Sequence, residues 1–209
     1  MDFLLRSATA PRRLGILSGS FHPITRAHVA LAEAALAEVD EVLLVMPRAF
    51  PHKAYEGVSL EERIELVRRV VEDRAQFSVA VSGGGLLIDI ARECRLHYGQ
   101  DCDLWFLCGR DAAERIVDWD YGVGAKFAEQ LNEFGLLVAE RRGRYEPPER
   151  HRERIRPLEM QGDWNELSAT EIRDRIRDGR EWAHLVPAPI VEQVERLYVT
   201  RENRFRETP

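Results

Sequence analysis

A doubly wound α/β fold, a parallel sheet of about five strands followed by C-terminal helices, is what this sequence predicts. Three observations carry that prediction. Apolar runs of strand length recur along the chain, segments with helical spacing lie between them, and the runs lack clean polar alternation. Strands that are apolar on both sides suit a sheet covered by helices on both faces. Strands alternating with helices imply parallel units joined by right-handed crossovers.

In chain order, the first run is RLGILSG (13–19), and the alanine- and leucine-rich HVALAEAALAEV follows it as a helix. EVLLVMP (41–47) is the second strand. The helix after it, SLEERIELVRRVVED, sets Leu60, Ile64, Val67 and Val71 on one face. FSVAVSG (77–83) precedes the helical LLIDIARECRLHYG, DLWFLCG (103–109) is the fourth run, and FGLLVAE (134–140) follows the short helical KFAEQLNE. Beyond residue 140 the pattern changes. ERRGRYEPPERHRERIRP reads as a charged loop, and whether it closes over a site stays open. Two further helices, ATEIRDRIRDG and APIVEQVERLYV, flank HLVPAP. Residues 13–200 are expected to form one domain, with loosely ordered termini at 1–12 and 201–209.

Composition narrows the function classes. The 209 residues carry a formal net charge of -6, where a nucleic-acid or membrane surface calls for a basic excess. A small anionic ligand feels local charge only and is not excluded. Of the 30 basic residues, all but Lys53 and Lys126 are arginine; a coding bias toward arginine explains this plainly, and against it a lysine is a candidate for a place where a compact ammonium is needed. The N-terminal stretch has no long apolar core, no run reaches the ~20 residues of a membrane span, and three cysteines lack metal-type spacing. Reduced thiols and a cytoplasmic location are the expectation.

In an open parallel sheet, ligands collect where strands end and helices begin. GSFHPITRAH (19–28) lies at such a point. Gly19 permits close backbone approach, Pro23 keeps His22 out of helical geometry, and Thr25 is a helix N-cap with His28 three residues on. Free N–H groups and partial positive charge at that helix end suit a phosphate, and an imidazole N–H beside them can donate to a reacting phosphate. Local physics equally allows a plain capped helix on which His28 packs. In LSATEIR (167–173), Ser168 and Glu171 form a capping box, and Thr170 and Arg173 share a face that can clamp further phosphate oxygens. His22, His28 and His52 match no common zinc spacing, so no metal site is expected, and no Walker lysine or nucleophile-elbow motif is present.

GSFHPITRAH and SATEIR together resemble the two signatures of the nicotinamide/nicotinate mononucleotide adenylyltransferases, nucleotidyltransferases with a Rossmann-like fold, over about residues 13–200. The resemblance implies ATP contacts at Gly19, Ser20, Phe21, Thr25, His28, Ser168, Thr170 and Arg173, with His28 stabilising the α-phosphate. FPHK (50–53) resembles the family's Pro-His-Lys stretch, which implies a phosphate role for Lys53, and LCGRDAAERIVDW resembles its Gly-x-Asp, which places adenosine at Gly109 and Asp111. Trp119 matches the aromatic that stacks on the pyridine ring; Arg141 and Arg142, just after the fifth strand, are candidates for the mononucleotide phosphate, although adjacent arginines are more often solvated loop charge. By this resemblance His28, Lys53 and Arg173 carry catalysis, and Lys53, Trp119 and Arg141 hold the mononucleotide. The chain departs from the family in two places. Ala27 replaces a glycine, and Leu86 and Leu87 stand where nicotinate-preferring members have tyrosine and threonine.

The activity implied is attack of a mononucleotide phosphate on ATP to give a dinucleotide and pyrophosphate, with Mg2+ bound through the ATP phosphates. A relative using another phosphate acceptor, such as phosphopantetheine, or an inactive nucleotide-binding regulator are the alternatives. The partners are small molecules, with no nucleic-acid polymer and no membrane. The sequence leaves the pyridine preference and homo-oligomer formation open.

Overall fold

The computed structural model describes residues 1–49, 57–118, 127–140, 145–162, 164 and 167–199. Among these, seven strands form one sheet: β1 (Asp2–Leu5), β2 (Arg13–Ser18), β3 (Glu41–Pro47), β4 (Phe77–Ser82), β5 (Asp103–Gly109), β6 (Gly135–Ala139) and β7 (Ile155–Leu158). Their order is β1-β4-β3-β2-β5-β6-β7, and every pairing is parallel except β1 with β4. The five expected strands are β2 to β6. The chain runs outward from β2 through β3 to β4, then returns to lay β5 on the other side of β2. That reversal makes the crevice between the ends of β2 and β5 the topological switch point.

Helices α1 (Arg26–Ala35), α2 (Leu60–Val71), α3 (Leu87–Tyr98), α4 (Arg110–Asp118), α5 (Phe127–Gln130), α6 (Ala169–Arg177) and α7 (Val191–Val194) cover the sheet, and α7 runs on into a π-helical turn at Glu195–Val199. Successive strand residues serve opposite cores. Leu14 and Ile16 of β2, Leu43 and Val45 of β3, and Leu104 and Phe106 of β5 pack with α3 to α5. Leu17, Val42, Leu44, Met46 and Leu107 pack on the other face with α1, α2, α6 and α7. Both faces being apolar, the alternation that marks a half-solvated strand is absent from the sequence.

Residues 1–12, expected as a loose terminus, instead carry β1 and a pinned bend. Phe3 pairs with Ala80, the Ser7 N–H donates to Ser78 Oγ at 2.8 Å, and Ser7 Oγ donates to the Ala75 carbonyl at 2.7 Å. The anchors are hydroxyls rather than an apolar run, which is why hydropathy does not signal them. At the start of β3 a fully buried carboxylate, Glu41, accepts from Thr9 Oγ1 (2.5 Å), Ser78 Oγ (2.6 Å) and Tyr98 Oη (2.6 Å). Burial, and then the bond to Glu41, pushes the Tyr98 phenol well above its ordinary range. The charged stretch after β6 also holds more structure than expected. Glu149–His151 form a 3-10 turn, and β7, with Arg156 and Pro157 at its centre, closes the far edge of the sheet. Proline there suits an edge strand.

No helix among the described residues is long and apolar enough to cross a membrane. Cys94, Cys102 and Cys108 are unbridged and buried. Burial pushes their thiols up to about 12, about 11 and about 12 respectively. A free thiol ionises near ~8.5, and only the thiolate attacks a reagent. At pH 8 a disulfide reagent such as Ellman's is therefore expected to leave the native chain almost unlabelled and to titrate three thiols in guanidinium. Fast stoichiometric labelling of native protein would contradict this.

Candidate active site

The switch-point crevice holds a cleft of about 240 Å3 lined by the ends of β2 and β5, the first turn of α1 and the first turn of α6. Ser18, Thr25, Ala27, His28, Gly109, Ser168 and Ala169 are among its walls, and Leu107, Cys108, Met160 and Leu167 give it an apolar side. Two helix N-termini, from opposite ends of the sequence, thus open on one cavity. Their N–H groups and partial positive charge favour an anion there.

The loop from β2 to α1 is built tightly. The Gly19 N–H donates to the Val45 carbonyl at 3.0 Å. A Cβ at Gly19 would stand 3.1 to 3.4 Å from three ring carbons of Phe21, so any larger residue would press that ring aside by a few tenths of an ångström. Phe21 has φ 42, the left-handed region, and is 1% exposed. A bulky residue held there costs on the order of 1–3 kcal/mol and persists only where its surroundings dictate it. The His22–Pro23 peptide bond is cis. The Phe21 ring stands edge-to-face with His28 at 5.3 Å and 85°.

Thr25 is the N-cap of α1, and its cap is reciprocal. Its Oγ1 accepts from the His28 N–H at 3.3 Å, while its own N–H donates to His28 Nδ1 at 3.0 Å. A capping box ordinarily uses glutamate or glutamine at this third position; here the imidazole takes the place. Because a backbone N–H cannot accept, Nδ1 must be the acceptor, and the neutral ring carries its proton on Nε2. The cap thus fixes both the orientation and the tautomer of His28.

On α6, Ser168 Oγ accepts from the Glu171 N–H at 3.1 Å, as expected. The second half of that expected box is absent: Glu171 turns its carboxylate to Arg175 (2.6 Å) and Arg180 (3.4 Å). Arg173 donates to the His22 carbonyl at 2.6 Å and to Thr170 Oγ1 at 3.3 Å. It therefore ties the second motif to the first. Gly109 ends β5, and a Cβ built on it meets nothing within 4 Å, which leaves open space on that wall. Asp111 is exposed in the first turn of α4. Leu86, 41% exposed, is the N-cap of α3 without a side-chain bond to the helix. Lys53, His52, Trp119, Arg141 and Arg142 lie outside the described residues.

The structure adds residues that motif reading passes over. Arg63, only 4% exposed, reaches from α2 to the Ser20 carbonyl at 2.6 Å. Its signal was its position, three residues after Leu60 and four before Val67, on the buried face of that helix. Tyr198, in the π-helical turn, sets its ring edge-to-face with His22 at 5.2 Å. Among the described residues, no three His, Cys, Asp or Glu side chains gather as a metal cluster.

Residues 16–175 match the family model described as cytidylyltransferase-like. A protein of Exiguobacterium sibiricum named "Probable nicotinate-nucleotide adenylyltransferase" is 31% identical over 90% of this chain and 100% of its own. A Thermus thermophilus protein of the same name is 32% identical over 88% of this chain and 97% of its own. Among solved structures, Plasmodium falciparum nicotinic acid mononucleotide adenylyltransferase complexed with NaAD shares the fold, with TM-score 0.68 over 93% of this chain and 97% of that one, at 16% identity.

Proposed function

The chain belongs to the cytidylyltransferase-like family, and we propose that it is an adenylyltransferase joining ATP to a pyridine mononucleotide to give the dinucleotide and pyrophosphate. The names of its relatives favour the nicotinate form of that mononucleotide. The observation that carries the reading is the convergence of two capped helix ends, Thr25–His28 and Ser168–Ala169, on one cleft at the switch point.

The mononucleotide phosphate is already ionised and attacks the α-phosphorus in line, so the protein supplies no nucleophile. Its work is positioning and charge stabilisation. In this reading the His28 Nε2–H donates to the α-phosphate, Gly19 lets the backbone come close while the amides of Ser20 and Phe21 and the Thr25 end of α1 surround the triphosphate, and Ser168, Thr170 and Arg173 hold its outer phosphates. Open space at Gly109 admits the adenosine, and the Asp111 carboxylate is a natural acceptor from ribose hydroxyls. Lys53, Trp119 and Arg141 serve the mononucleotide. The groups named for the phosphates are hydroxyl, imidazole, guanidinium and amide, all donors to phosphate oxygen, with no carboxylate among them. That set fits Mg2+ carried by the ATP phosphates and water, where it neutralises charge on the departing pyrophosphate. Three buried, unbridged thiols suit a reducing compartment, the cytoplasm.

The test is direct. The protein is incubated with ATP, Mg2+ and, separately, nicotinate mononucleotide, nicotinamide mononucleotide or phosphopantetheine, and products are identified by mass. A dinucleotide with a pyridine acceptor is expected. Its absence with both pyridine mononucleotides would overturn the reading.

A further inference from the structure

We infer that Arg63 is a positioning residue of the phosphate loop, holding the Ser20 carbonyl toward α2 so that the left-handed turn at Phe21, on which His28 rests, is maintained. The starting observation is a misfit. Arg63 lies in the first turn of α2, where the partial positive charge of the helix disfavours a cation, and it is 4% exposed, where desolvation disfavours any charge. An arginine kept against both effects has bonds that offset them.

Two of those bonds are to backbone carbonyls. Nε donates to Ser59 O, the N-cap of its own helix, at 3.2 Å, and Nη1 donates to Ser20 O at 2.6 Å. The guanidinium therefore bolts the start of α2 to the middle of the loop. Arg173 does the corresponding thing from α6, taking His22 O at 2.6 Å. Two arginines from two helices thus take the carbonyls on either side of Phe21, the residue with φ 42. A carbonyl turned toward a buried guanidinium is not turned toward a triphosphate. The Phe21 ring, held by this turn, is in contact with Gly19 on one side and His28 on the other. The fork matters here: one planar group donates in two directions, which a lysine ammonium on a longer lever does less rigidly.

The inference rests on the adenylyltransferase reading only for its kinetic readout; its binding readout stands alone. Affinities of the full chain for inorganic tripolyphosphate, ATP and adenosine are measured by calorimetry, with kcat and KM for ATP beside them, for the unmodified protein, Arg63→Met and Arg63→Lys. Misplacement of a reacting group by a fraction of its bond length to substrate has large rate effects, so Arg63→Met is expected to lower kcat by about 10- to 100-fold. It should also weaken tripolyphosphate binding by at least about tenfold while leaving adenosine affinity within twofold. Arg63→Lys should fall between the two. A purely structural role would lower the melting temperature and the active fraction but leave KM and tripolyphosphate affinity of the folded molecules unchanged.

Folded Arg63→Met with kcat and tripolyphosphate affinity within about threefold of the unmodified chain overturns the inference. If Arg63→Met does not fold, Arg63→Lys decides, and a lysine variant indistinguishable in both readouts overturns it equally. An unmodified chain that binds tripolyphosphate but makes no dinucleotide strikes the adenylyltransferase reading and leaves the Arg63 comparison in force.

Discussion

Replacing His28 by alanine is expected to lower kcat by about 100- to 1,000-fold, the loss found when a single preorganised donor to a developing negative charge is removed. The expectation follows from what fixes the ring. The Thr25 N–H occupies Nδ1, so the remaining ring N–H is presented from Nε2 without any protonation step. Phe21 stands edge-to-face against the ring and restricts its rotation. Alanine removes the imidazole and one half of the α1 cap together, so it confounds two effects. A cap is worth about 0.5–2 kcal/mol, enough to lower stability but not to unfold an ordinary domain. His28→Gln separates them. Glutamine at the third position of a capping box can still accept from the Thr25 N–H, and in doing so it points its amide away from the substrate. The glutamine variant should melt within a few degrees of the unmodified protein yet share most of the alanine variant's loss in kcat, measured as pyrophosphate release. A loss below about fivefold in folded alanine variant would remove His28 from the chemistry.

The parts of this fold that sequence makes legible are those that hydrophobic burial dictates. β2 to β6 lie on the five apolar runs because a strand covered on both faces is built mainly of apolar residues. Helix starts were equally readable at Thr25 and Ser168, where a hydroxyl meets orphan N–H groups. β1 was not legible because four residues cannot show a period, and its bend is held by Ser7 and Thr9 through bonds to residues far along the chain. β7 was masked by Arg156 and Pro157, which an edge strand tolerates. At the site, motif spacing singled out His28 but not its tautomer, since the reciprocal bond needs three-dimensional knowledge of the cap. It identified Ser168 but overcredited Glu171, whose carboxylate found two arginines nearby. Arg63 escaped because residue type and helix position disagreed: an arginine on a buried face reads as a solvated charge until the carbonyl it serves is known.

At the other end of the sheet, Glu41→Ala is expected to lower stability by about 3–5 kcal/mol while leaving kcat per folded molecule unchanged. Glu41 is fully buried and is the shared acceptor for Thr9, Ser78 and Tyr98 hydroxyls. A bond to a charged group contributes about 1.5–3 kcal/mol, and deleting the acceptor strands its donors. The three are not equivalent. Thr9 is exposed and can turn to water, so its share is recovered. Ser78 is fully buried and Tyr98 half-buried; the loss of their shared acceptor accounts for the stated range. In a chain of this size that is a fall in melting temperature on the order of 10 °C. Activity is spared by distance: Glu41 begins β3 and the cleft lies beyond the opposite end, about 20 Å along the strand. The check is calorimetric melting of Glu41→Ala, Tyr98→Phe and the double variant. Because Tyr98→Phe removes one of the two stranded donors, the double variant should be less destabilised than the sum of the singles. Strict additivity, or a Glu41→Ala cost below about 1 kcal/mol, would mean that the hydroxyls find other partners.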